Sequence, residues 1–470
     1  MKPLAPYPAY KNSTAEHIGE VPEHWKVQRA KTLLSETNNR AGNEDLELLS
    51  LSKTRGILPQ RMLSDRLASA SDFSQYRRVE PGQLIMNRMQ AWNGLFGSSP
   101  IQGMISPDYA VFNVNNEAAE LGYLLRLVRD PLWVQQFAAL STGVGTGFNR
   151  LYSEDLGAVP FLVPPLDEQR AIADFLDGMD ARITRFLAAR RRMIALLEEK
   201  KQAVINQAVT RGLDPNVPLK DSGIDWLGEV PAHWELKRLK QVCIAIVDCK
   251  NRTPDHIDEG AYTVIRTTNI RNGHFQLAGS YTTDEENYRI WTQRGAPQVG
   301  DVFFTREAPA GEACLVPSLP NLCMGQRMMY FRPEPSQLDP SYLLHSIYGP
   351  VARNYIENAT NGSTVGHLRL GQVGNIPLIW CPLNEQQSIA EYIDREMARI
   401  DASIGRHRRE IDLMQEYRTR LISDVVTGRL DVRGVQLPPI EKVIGEEMDA
   451  AMEEEPIAAF ESEPDKLEES

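Results

Sequence analysis

An internal repeat constrains this chain more than any other feature. Lys11–Lys31 aligns with Lys220–Lys240 at a constant offset of 209 residues, and both carry the pattern Gly-Glu-Val-Pro-x-His-Trp. A second block, Pro165–Asp214, aligns without gaps with Pro382–Asp431 at an offset of 217, and 20 of its 50 positions are identical. The sequence therefore predicts two copies of one backbone frame, related by a pseudo-twofold repeat.

The segment between the two blocks of each copy has diverged. Faint similarities remain, such as Pro81–Arg88 against Val299–Arg306, and little else in the two inserts aligns. A frame that is kept while its inserts are rewritten is what we expect if each copy recognises something different.

The second repeated block predicts a long helix in each copy. Prolines end the preceding extended segment, Asp167 or Asn384 is expected to cap the helix, and Glu168 or Glu385 follows in the first turn, where negative charge suits the helix dipole. Apolar residues recur at spacings of three and four, a heptad-like stripe that favours a coiled coil. The stripes are Ile172, Leu176, Met179, Ile183, Phe186, Ile194, Leu197 and Val204, and Ile389, Ile393, Met397, Ile400, Ile404, Ile411, Met414 and Leu421.

Polar residues interrupt both stripes at equivalent places. Arg190 corresponds to His407, and Lys201 corresponds to Arg418. Such residues either fix helix register and partner choice or extend their long side chains to solvent, and the sequence leaves both interpretations open.

The inserts read as α/β. Short apolar runs bounded by Gly, Pro or Asn predict strands, at Leu46–Leu51, Gln83–Met86, Tyr109–Val114, Tyr262–Thr267 and Asp301–Phe304. Helices are predicted over Leu121–Leu140 and Pro340–Asn358, and the Trp of each frame motif is expected to pack on the frame.

Charge is distributed unevenly along the chain. The formal net charge is −12, and residues 441–470 contain 12 acidic and 2 basic residues, so the rest of the chain is close to neutral. This acidic segment has few aromatic residues, and its composition predicts a disordered tail.

Motifs for catalysis are missing from the sequence. We find no phosphate-binding loop, adenine methyltransferase motif, nuclease motif or metal-ligand spacing, and the glycines between 143 and 147 lack the setting of a dinucleotide site. No apolar run reaches 18 residues, which argues against a membrane span. Five cysteines without a CxxC pair fit a reducing cytoplasm.

Both inserts offer side chains suited to reading DNA. Arg and Lys pair with guanine edges or phosphates, and Asn and Gln pair with adenine. Each would singly be an ordinary surface residue, but their recurrence beside predicted strands in both inserts favours a nucleic-acid interface. The candidates are Lys53, Arg55, Arg77, Arg78, Asn87, Arg88 and Gln90 in the first insert, and Lys250, Arg252, Arg266, Asn269, Arg271, Arg306 and Arg327 in the second.

The paired frame motifs, the two long helices headed by Pro-Leu-x-Glu-Gln and the two divergent inserts resemble the specificity subunits of type I restriction–modification enzymes. The resemblance covers about residues 10 to 432. Within it, TRGILPQRM followed by SDFSQYRRVEPGQLIMNRMQAWNG is similar to one variety of target recognition domain, and DCKNRTP with VIRTTNIRNG is similar to another.

The resemblance implies an α/β fold of two target recognition domains separated by two long antiparallel helices. We assign residues 1–165 and 213–382 to the recognition domains, 166–212 and 383–430 to the helices, and 431–470 to the acidic tail.

The resemblance also implies a function without chemistry of its own. The chain would bind a bipartite target in double-stranded DNA, one half-site per domain, together with two modification subunits and with restriction subunits. S-adenosylmethionine, ATP and magnesium would belong to those partners, which methylate adenine and cut DNA, and this chain would bind no cofactor. Two alternatives are a self-sufficient methyltransferase or nuclease with a divergent site, and a purely structural coiled-coil protein.

Overall fold

Two long helices organise the fold. A computed structural model describes residues 4–439 apart from 14, 16, 43–44, 54, 64–72, 143–148, 251, 308 and 361–365. In it the first long helix spans Leu166–Arg211 and the second spans Leu383–Val426, so both helices that the apolar stripes predict are confirmed. The acidic tail was predicted over 431–470. Residues 431–439 are described and begin by packing in unit 1, with Val432 buried in its core, whereas residues 440–470 and the 143–147 glycine cluster lie outside the described residues.

The helices begin at the predicted positions, 166 and 383, but not behind the predicted cap residues. Asp167 lies inside the first turn, because the backbone N–H of Gln169 already donates to the carbonyl of Pro165 at 2.9 Å. Asn384 is displaced in the same way, since Gln386 N–H donates to Pro382 at 3.0 Å. A proline carbonyl therefore starts each helix, and the predicted cap residues are wrong by two positions.

Each long helix contributes to two compact units. Unit 1 combines Met1–Arg190 with Arg409–Ser470, and unit 2 is the continuous segment Arg191–Arg408. Each unit therefore contains one insert with its frame and one half of each long helix.

Polar residues of the helix stripes form ion pairs between the helices inside each unit. In unit 1, Arg418 Nε donates to Asp180 Oδ1 at 2.6 Å, and Arg190 Nε lies 2.9 Å from a carboxylate oxygen of Glu410. From Asp180 to Arg190 on the first helix, the partner on the second helix moves back from Arg418 to Glu410. The two helix halves are therefore antiparallel.

Unit 2 has the corresponding arrangement. Lys201 Nζ donates to Asp401 Oδ1 at 2.8 Å. Because these pairs are partly exposed, each contributes only about 0–1 kcal/mol, which fits a role in setting register better than one in stability.

Unit 1 contains twelve strands and three further helices among its described residues. The strands are β1 Tyr10–Asn12, β2 Glu20–Pro22, β3 Lys26–Arg29, β4 Leu34–Thr37, β5 Leu49–Ser52, β6 Gly56–Pro59, β7 Arg77–Val79, β8 Leu84–Asn87, β9 Phe96–Gly97, β10 Gly103–Ile105, β11 Tyr109–Val114 and β12 Pro160–Val163. The helices are α1 Leu121–Leu127, α2 Pro131–Leu140 and α3 Ser153–Ala158, with 3₁₀ turns at Ala30–Thr32, Gln60–Met62 and Ala91–Asn93.

Unit 2 repeats this order with additions. Its strands are β13 Leu219–Asp221, β14 Glu229–Pro231, β15 Glu235–Arg238, β16 Cys243–Asp248, β17 Tyr262–Ile265, β18 Ile270–Arg271, β19 His274–Phe275, β20 Tyr281–Thr283, β21 Val302–Thr305, β22 Ala313–Leu315, β23 Leu322–Met324, β24 Met328–Pro333 and β25 Pro377–Trp380. Its helices are α4 Leu239–Val242, α5 Glu285–Trp291, α6 Pro340–Tyr348, α7 Pro350–Thr360 and α8 Leu370–Val373, with a 3₁₀ turn at Thr267–Asn269.

The central sheets of the two inserts have the same topology. The order β4-β11-β8-β9 in unit 1 matches β16-β24-β21-β22 in unit 2, and both sheets are antiparallel. Unit 2 adds a second sheet, β20-β17-β23, whose β17–β23 pair is parallel. The divergent inserts therefore keep one core sheet and differ in what surrounds it.

The helices predicted over Leu121–Leu140 and Pro340–Asn358 are each two helices. Pro131 starts α2 behind Asp130, whose carboxylate accepts the Leu132 N–H at 2.9 Å, and Pro350 starts α7. Proline has no N–H for an interior helical bond and starts a new helix readily. The prediction of one helix in each place was wrong for this reason.

A buried glutamate joins the two repeated blocks in unit 1. Glu168, in the first turn of the first long helix, accepts hydrogen bonds from Trp25 Nε1 at 2.9 Å and from Tyr7 Oη at 2.6 Å, both on Oε1. Its Oε2 lies 2.7 Å from His24 Nε2. The frame motif therefore closes on the head of the helix, which confirms that its tryptophan packs on the frame.

Unit 2 repeats this contact with fewer partners. Glu385 accepts Trp234 Nε1 at 2.9 Å on Oε2, and its Oε1 lies 2.8 Å from His233 Nε2. Its side chain is 36% exposed, against 3% for that of Glu168.

The N-terminal and C-terminal segments of the described chain pair inside unit 1. Asp431 N–H donates to the carbonyl of Ala5 at 2.8 Å, and Tyr10 Oη donates to the carbonyl of Gly428 at 3.1 Å. Val432 is buried in the same core as Trp25. The core of unit 1 is therefore built from both terminal regions of the chain.

Candidate nucleic-acid interface

The β5–β6 turn and the loop after β8 form a polar surface at one end of the first insert. Lys53 Nζ donates to Asn93 Oδ1 at 3.1 Å, which joins the turn to the 3₁₀ turn at Ala91–Asn93. Lys53, Arg55 and Gln90 are exposed. We call the surface formed by Lys53, Arg55, Gln90, Trp92, Asn93 and Arg150 the first tip.

Asn87 lies at the base of the first tip, at the end of β8. Its Oδ1 accepts the Met89 N–H at 3.0 Å, so part of its hydrogen-bonding capacity shapes the loop.

Two of the predicted arginines are held inside the first insert around Glu36. Arg77 Nη1 donates to Glu36 Oε1 at 2.9 Å, to the carbonyl of Thr37 and to Asn38, and its side chain is only 6% exposed. Arg88 Nη2 donates to the same Glu36 oxygen at 2.7 Å. Burial, followed by the nearby Arg88, lowers the pKa of Arg77. A side chain that already makes these bonds stabilises the insert, so the structure removes Arg77 from the exposed candidates.

Arg78 follows Arg77 on β7, and its side chain is more exposed than that of Arg77. Its Nε donates to Glu80 Oε1 at 2.7 Å, and the side chain is partly exposed. Arg78 therefore remains a candidate, with an acidic neighbour that reduces its net charge.

Trp291 organises the first group of basic residues in the second insert. Its Nε1 donates to the carbonyl of Arg252 at 2.9 Å, and the Arg252 guanidinium lies 5.4 Å from the ring centroid. Lys250 Nζ lies 5.6 Å from the same centroid and donates to Gln293 Oε1 at 3.3 Å. Arg252 is exposed, and Lys250 is half-buried.

A second group lies where β16 ends and β21 ends. Arg306 Nε lies 3.5 Å from Asp248 Oδ1, and both side chains are largely buried. Burial raises the pKa of Asp248 in spite of this arginine. The exposed Arg327 is in the left-handed region at φ 73°, and its Nε lies 2.9 Å from Glu307 Oε2.

Asn269 is a structural residue of the second insert. It is fully buried, its Nδ2 donates to the carbonyls of Gln276 and Ala278, and its Oδ1 accepts the Arg266 N–H at 2.8 Å. The structure therefore removes Asn269 from the exposed candidates. Arg266 and Arg271, on either side of this turn, are exposed.

Arg88 and Arg306 occupy equivalent positions in the two inserts. Each follows the central strand that the sheets share, and each carbonyl accepts a backbone N–H from the segment before the long helix, Leu151 at 3.0 Å and Leu368 at 3.1 Å. Each side chain also meets an acid carried by the edge strand of its sheet. The two inserts thus present their loops from the same place on the same core.

Sequence reasoning missed Trp92 and Arg150 at the first tip. Trp92 was detectable as an aromatic residue between Gln90 and Asn93, close to the predicted basic residues. Arg150 lies 62 residues beyond Arg88 in the sequence, and its Nε contacts Met89 Sδ at 2.9 Å only because the chain folds back. Its position could not be read from local sequence.

Features of other classes of site are lacking in the part of the chain that the structure describes. It includes no group of three or more His, Cys, Asp or Glu side chains that could hold a metal ion. None of its helices has the length and apolar character needed to cross a bilayer.

Comparison with protein families establishes the family of this chain. The model of the type I restriction modification DNA specificity domain matches residues 106–193 and 231–408, together more than half of the chain. The chain belongs to this family. It is a type I specificity subunit, the component that recognises DNA and does not catalyse, as the sequence predicted.

Similar specificity subunits come from an archaeon and a bacterium. The type I restriction enzyme MjaVIII specificity subunit of Methanocaldococcus jannaschii is 20% identical over 434 residues, which are 89% of this chain and 96% of that protein. The EcoKI specificity subunit of Escherichia coli K12 is 23% identical over 318 residues, 64% of this chain and 61% of that protein.

Solved structures share the fold of this specificity subunit. A chain from a study of complex assembly and conformational transition in a type I R-M system superimposes with a TM-score of 0.66 at 18% identity, and the match covers 87% of this chain and 99% of that one. The HsdS subunit from Thermoanaerobacter tengcongensis gives a TM-score of 0.53 at 19% identity, covering 87% and 98%. The predicted architecture of two α/β recognition domains and long helices is confirmed.

Proposed function

We propose that this specificity subunit reads a bipartite target in double-stranded DNA, with one half-site bound by each insert. The observation that carries the proposal is the equivalence of the two inserts. Their central sheets share one topology and one frame, and the segments around those sheets carry different exposed polar side chains. Examples are the β5–β6 turn of the first insert and the turn between β17 and β19 of the second. One scaffold with two different surfaces is suited to two different half-sites.

The exposed candidates are assigned the DNA contacts. They are Lys53, Arg55, Arg78 and Gln90 in the first insert, and Lys250, Arg252, Arg266, Arg271 and Arg327 in the second. Asn87, Arg88 and Arg306 lie at the bases of these loops and are assigned a contact that shares their side chains with the fold. Arg77 and Asn269 shape the loops from inside.

The partners follow from the same duplication. Two equivalent frames, each with a buried tryptophan bonded to a glutamate in the first turn of a long helix, offer two equivalent places for a repeated partner. We assign these to two modification subunits that supply S-adenosylmethionine and methylate adenine, joined by restriction subunits that supply ATP and magnesium. This chain binds no cofactor in that scheme.

Measuring the coupling between substitutions in each insert and changes in each half-site tests whether one insert binds one half-site. The complex with its modification partner is prepared with Lys53→Ala/Arg55→Ala in the first insert, or with Arg252→Ala/Arg266→Ala in the second. The target is first identified by mapping methylated adenines in cells that express the wild-type complex. Binding is then measured to the intact target and to duplexes in which one half-site is scrambled.

Each pair of substitutions is expected to couple to one half-site only. Scrambling the half-site read by the substituted insert costs less affinity in the variant than in the wild type, while scrambling the other half costs the same in both. Loss of one phosphate contact should also reduce the slope of log affinity against log salt concentration by about one. If either pair couples equally to both half-sites, the assignment of one half-site per insert is wrong.

A further inference from the structure

We propose that Trp92 packs against base surface within the half-site read by the first insert and is a specificity-determining residue there. The inference rests on the proposed function, because it assigns a role at the same surface. It goes beyond the charged and amide side chains that the sequence singled out.

Trp92 is held outward by the fold. The preceding Ala91 is completely buried, whereas Trp92 is 40% exposed. The next turn residue, Gly94, adopts φ 77°, and a Cβ on it would lie 3.0 Å from a side-chain methyl of Val134 on α2. The 3₁₀ turn is therefore packed closely against α2, and its tryptophan projects in a fixed direction.

The indole has no polar group left for a phosphate. Its Nε1, the single hydrogen-bond donor of the side chain, donates to the carbonyl of Met89 at 2.8 Å. The Met89 sulfur is itself contacted by Arg150. What the ring presents to a ligand is therefore apolar, and it suits the thymine methyl groups and base edges exposed in a groove of the duplex rather than the sugar–phosphate backbone.

The neighbours of Trp92 supply the charge that brings DNA to this surface. Lys53 bonds to Asn93, the residue after Trp92. Arg55 is exposed on the same β5–β6 turn as Lys53, and Gln90 is exposed two residues before Trp92. A fixed apolar ring among cations and amides combines electrostatic attraction with a contact that depends on the base. An isolated exposed tryptophan needs no functional explanation, but here its position among these residues provides one.

The test uses the complex with its modification partner and compares Trp92→Ala, Trp92→Phe and Met62→Ala. Met62 is a matched control, since it is an exposed apolar side chain of the same insert. It follows β6, at the end of the β5–β6 hairpin away from the Lys53 turn. Affinity is measured for the methylation-mapped target, for the target with single base substitutions and for unrelated duplex, each at several salt concentrations.

Trp92→Ala is expected to weaken target binding by about tenfold or more, the range in which one mismatched base pair weakens a specific duplex complex. Binding to unrelated duplex and the salt dependence should stay unchanged, because no cation is lost. Discrimination should relax at one or two adjacent positions of one half-site. Trp92→Phe should recover part of the affinity, and Met62→Ala should bind like the wild type.

Equal target affinity of Trp92→Ala and wild type would overturn the inference. So would a loss that is shared by unrelated duplex, or one accompanied by a lower unfolding midpoint and not relieved by phenylalanine, since these indicate a structural role. If the wild-type complex shows no bipartite target, the proposed function itself fails. If it does and Trp92→Ala reads that target normally, only this inference fails.

Discussion

Replacement of Glu168 tests whether the buried contact between the frame motif and the helix head stabilises unit 1. In Glu168→Ala, Tyr7 Oη and Trp25 Nε1 lose their acceptor, and both side chains are almost completely buried. An unsatisfied buried donor costs about 1–3 kcal/mol. His24 is 37% exposed and can bond to water instead. The free energy of unfolding is expected to fall by about 3 kcal/mol, because the cost of two unsatisfied donors is partly offset by no longer burying a carboxylate.

Two further variants separate the causes. In Glu168→Gln the amide oxygen can take the place of Oε1, which accepts both Tyr7 and Trp25, so the expected loss is below about 1 kcal/mol. In Glu385→Ala a single buried donor, Trp234 Nε1, loses an acceptor that solvent already reaches, so the expected loss is about 1 kcal/mol.

Hydrogen exchange of peptides from residues 4–29 and from 219–238 is the suitable assay, because a chain with two units need not unfold in one step. A loss of about 3 kcal/mol corresponds to about a hundredfold lower protection. Equal losses in Glu168→Ala and Glu168→Gln would show that charge, not the shared acceptor oxygen, holds the contact. A larger loss in Glu385→Ala than in Glu168→Ala would refute the reasoning altogether.

Three other predictions concern stability, each measured by urea unfolding in which the transition of the unit that carries the substitution is followed separately. Burial raises the pKa of Asp130, so ionisation is less favourable in the fold and stability falls as pH rises through its unfolded and then its folded pKa. Asp130→Asn keeps a capping oxygen and should match or exceed the wild type at pH 7, with the difference vanishing at pH 3. Gly428→Ala should lower the free energy of unfolding by about 3 kcal/mol or more, because φ is 77° and a Cβ would lie 2.5 Å from a ring carbon of Pro22. Its control, Gly434→Ala, should cost about 1 kcal/mol, because φ is 71° but the space around a Cβ is open. Lys201→Met should change stability by less than about 1 kcal/mol, since its ion pair with Asp401 is partly exposed; a larger loss would mean that this pair stabilises the helices.

The parts of the fold that sequence predicts are those with strong periodicity or repetition. The long helices follow from apolar residues such as Ile172 and Ile389 at heptad spacing, and the common frame follows from the aligned blocks. The breaks at Pro131 and Pro350 were also legible, because proline inside a helical pattern begins a new helix. They were missed because the apolar pattern continues across them.

The sequence predicted which types of residue could contact DNA, but it did not predict which of them are exposed on the surface. Arg77 is buried because it reaches Glu36, which lies 41 residues away in the sequence. Asn269 is buried because its amide closes a turn with Gln276 and Ala278. No local pattern separates these two from the exposed Arg55 or Arg266, since burial is decided by contacts distant in sequence.

The pairing of residues near Ala5 with residues near Asp431 dictates an order of folding during synthesis. Unit 2 is continuous, so all of its segments have been synthesised once Arg408 has been translated. Unit 1 must wait, because Leu421, Val425 and Val432 belong to the same core as Trp25. The half of the protein that is made first is therefore completed last, a reversal of the usual order in which the N-terminal domain folds first.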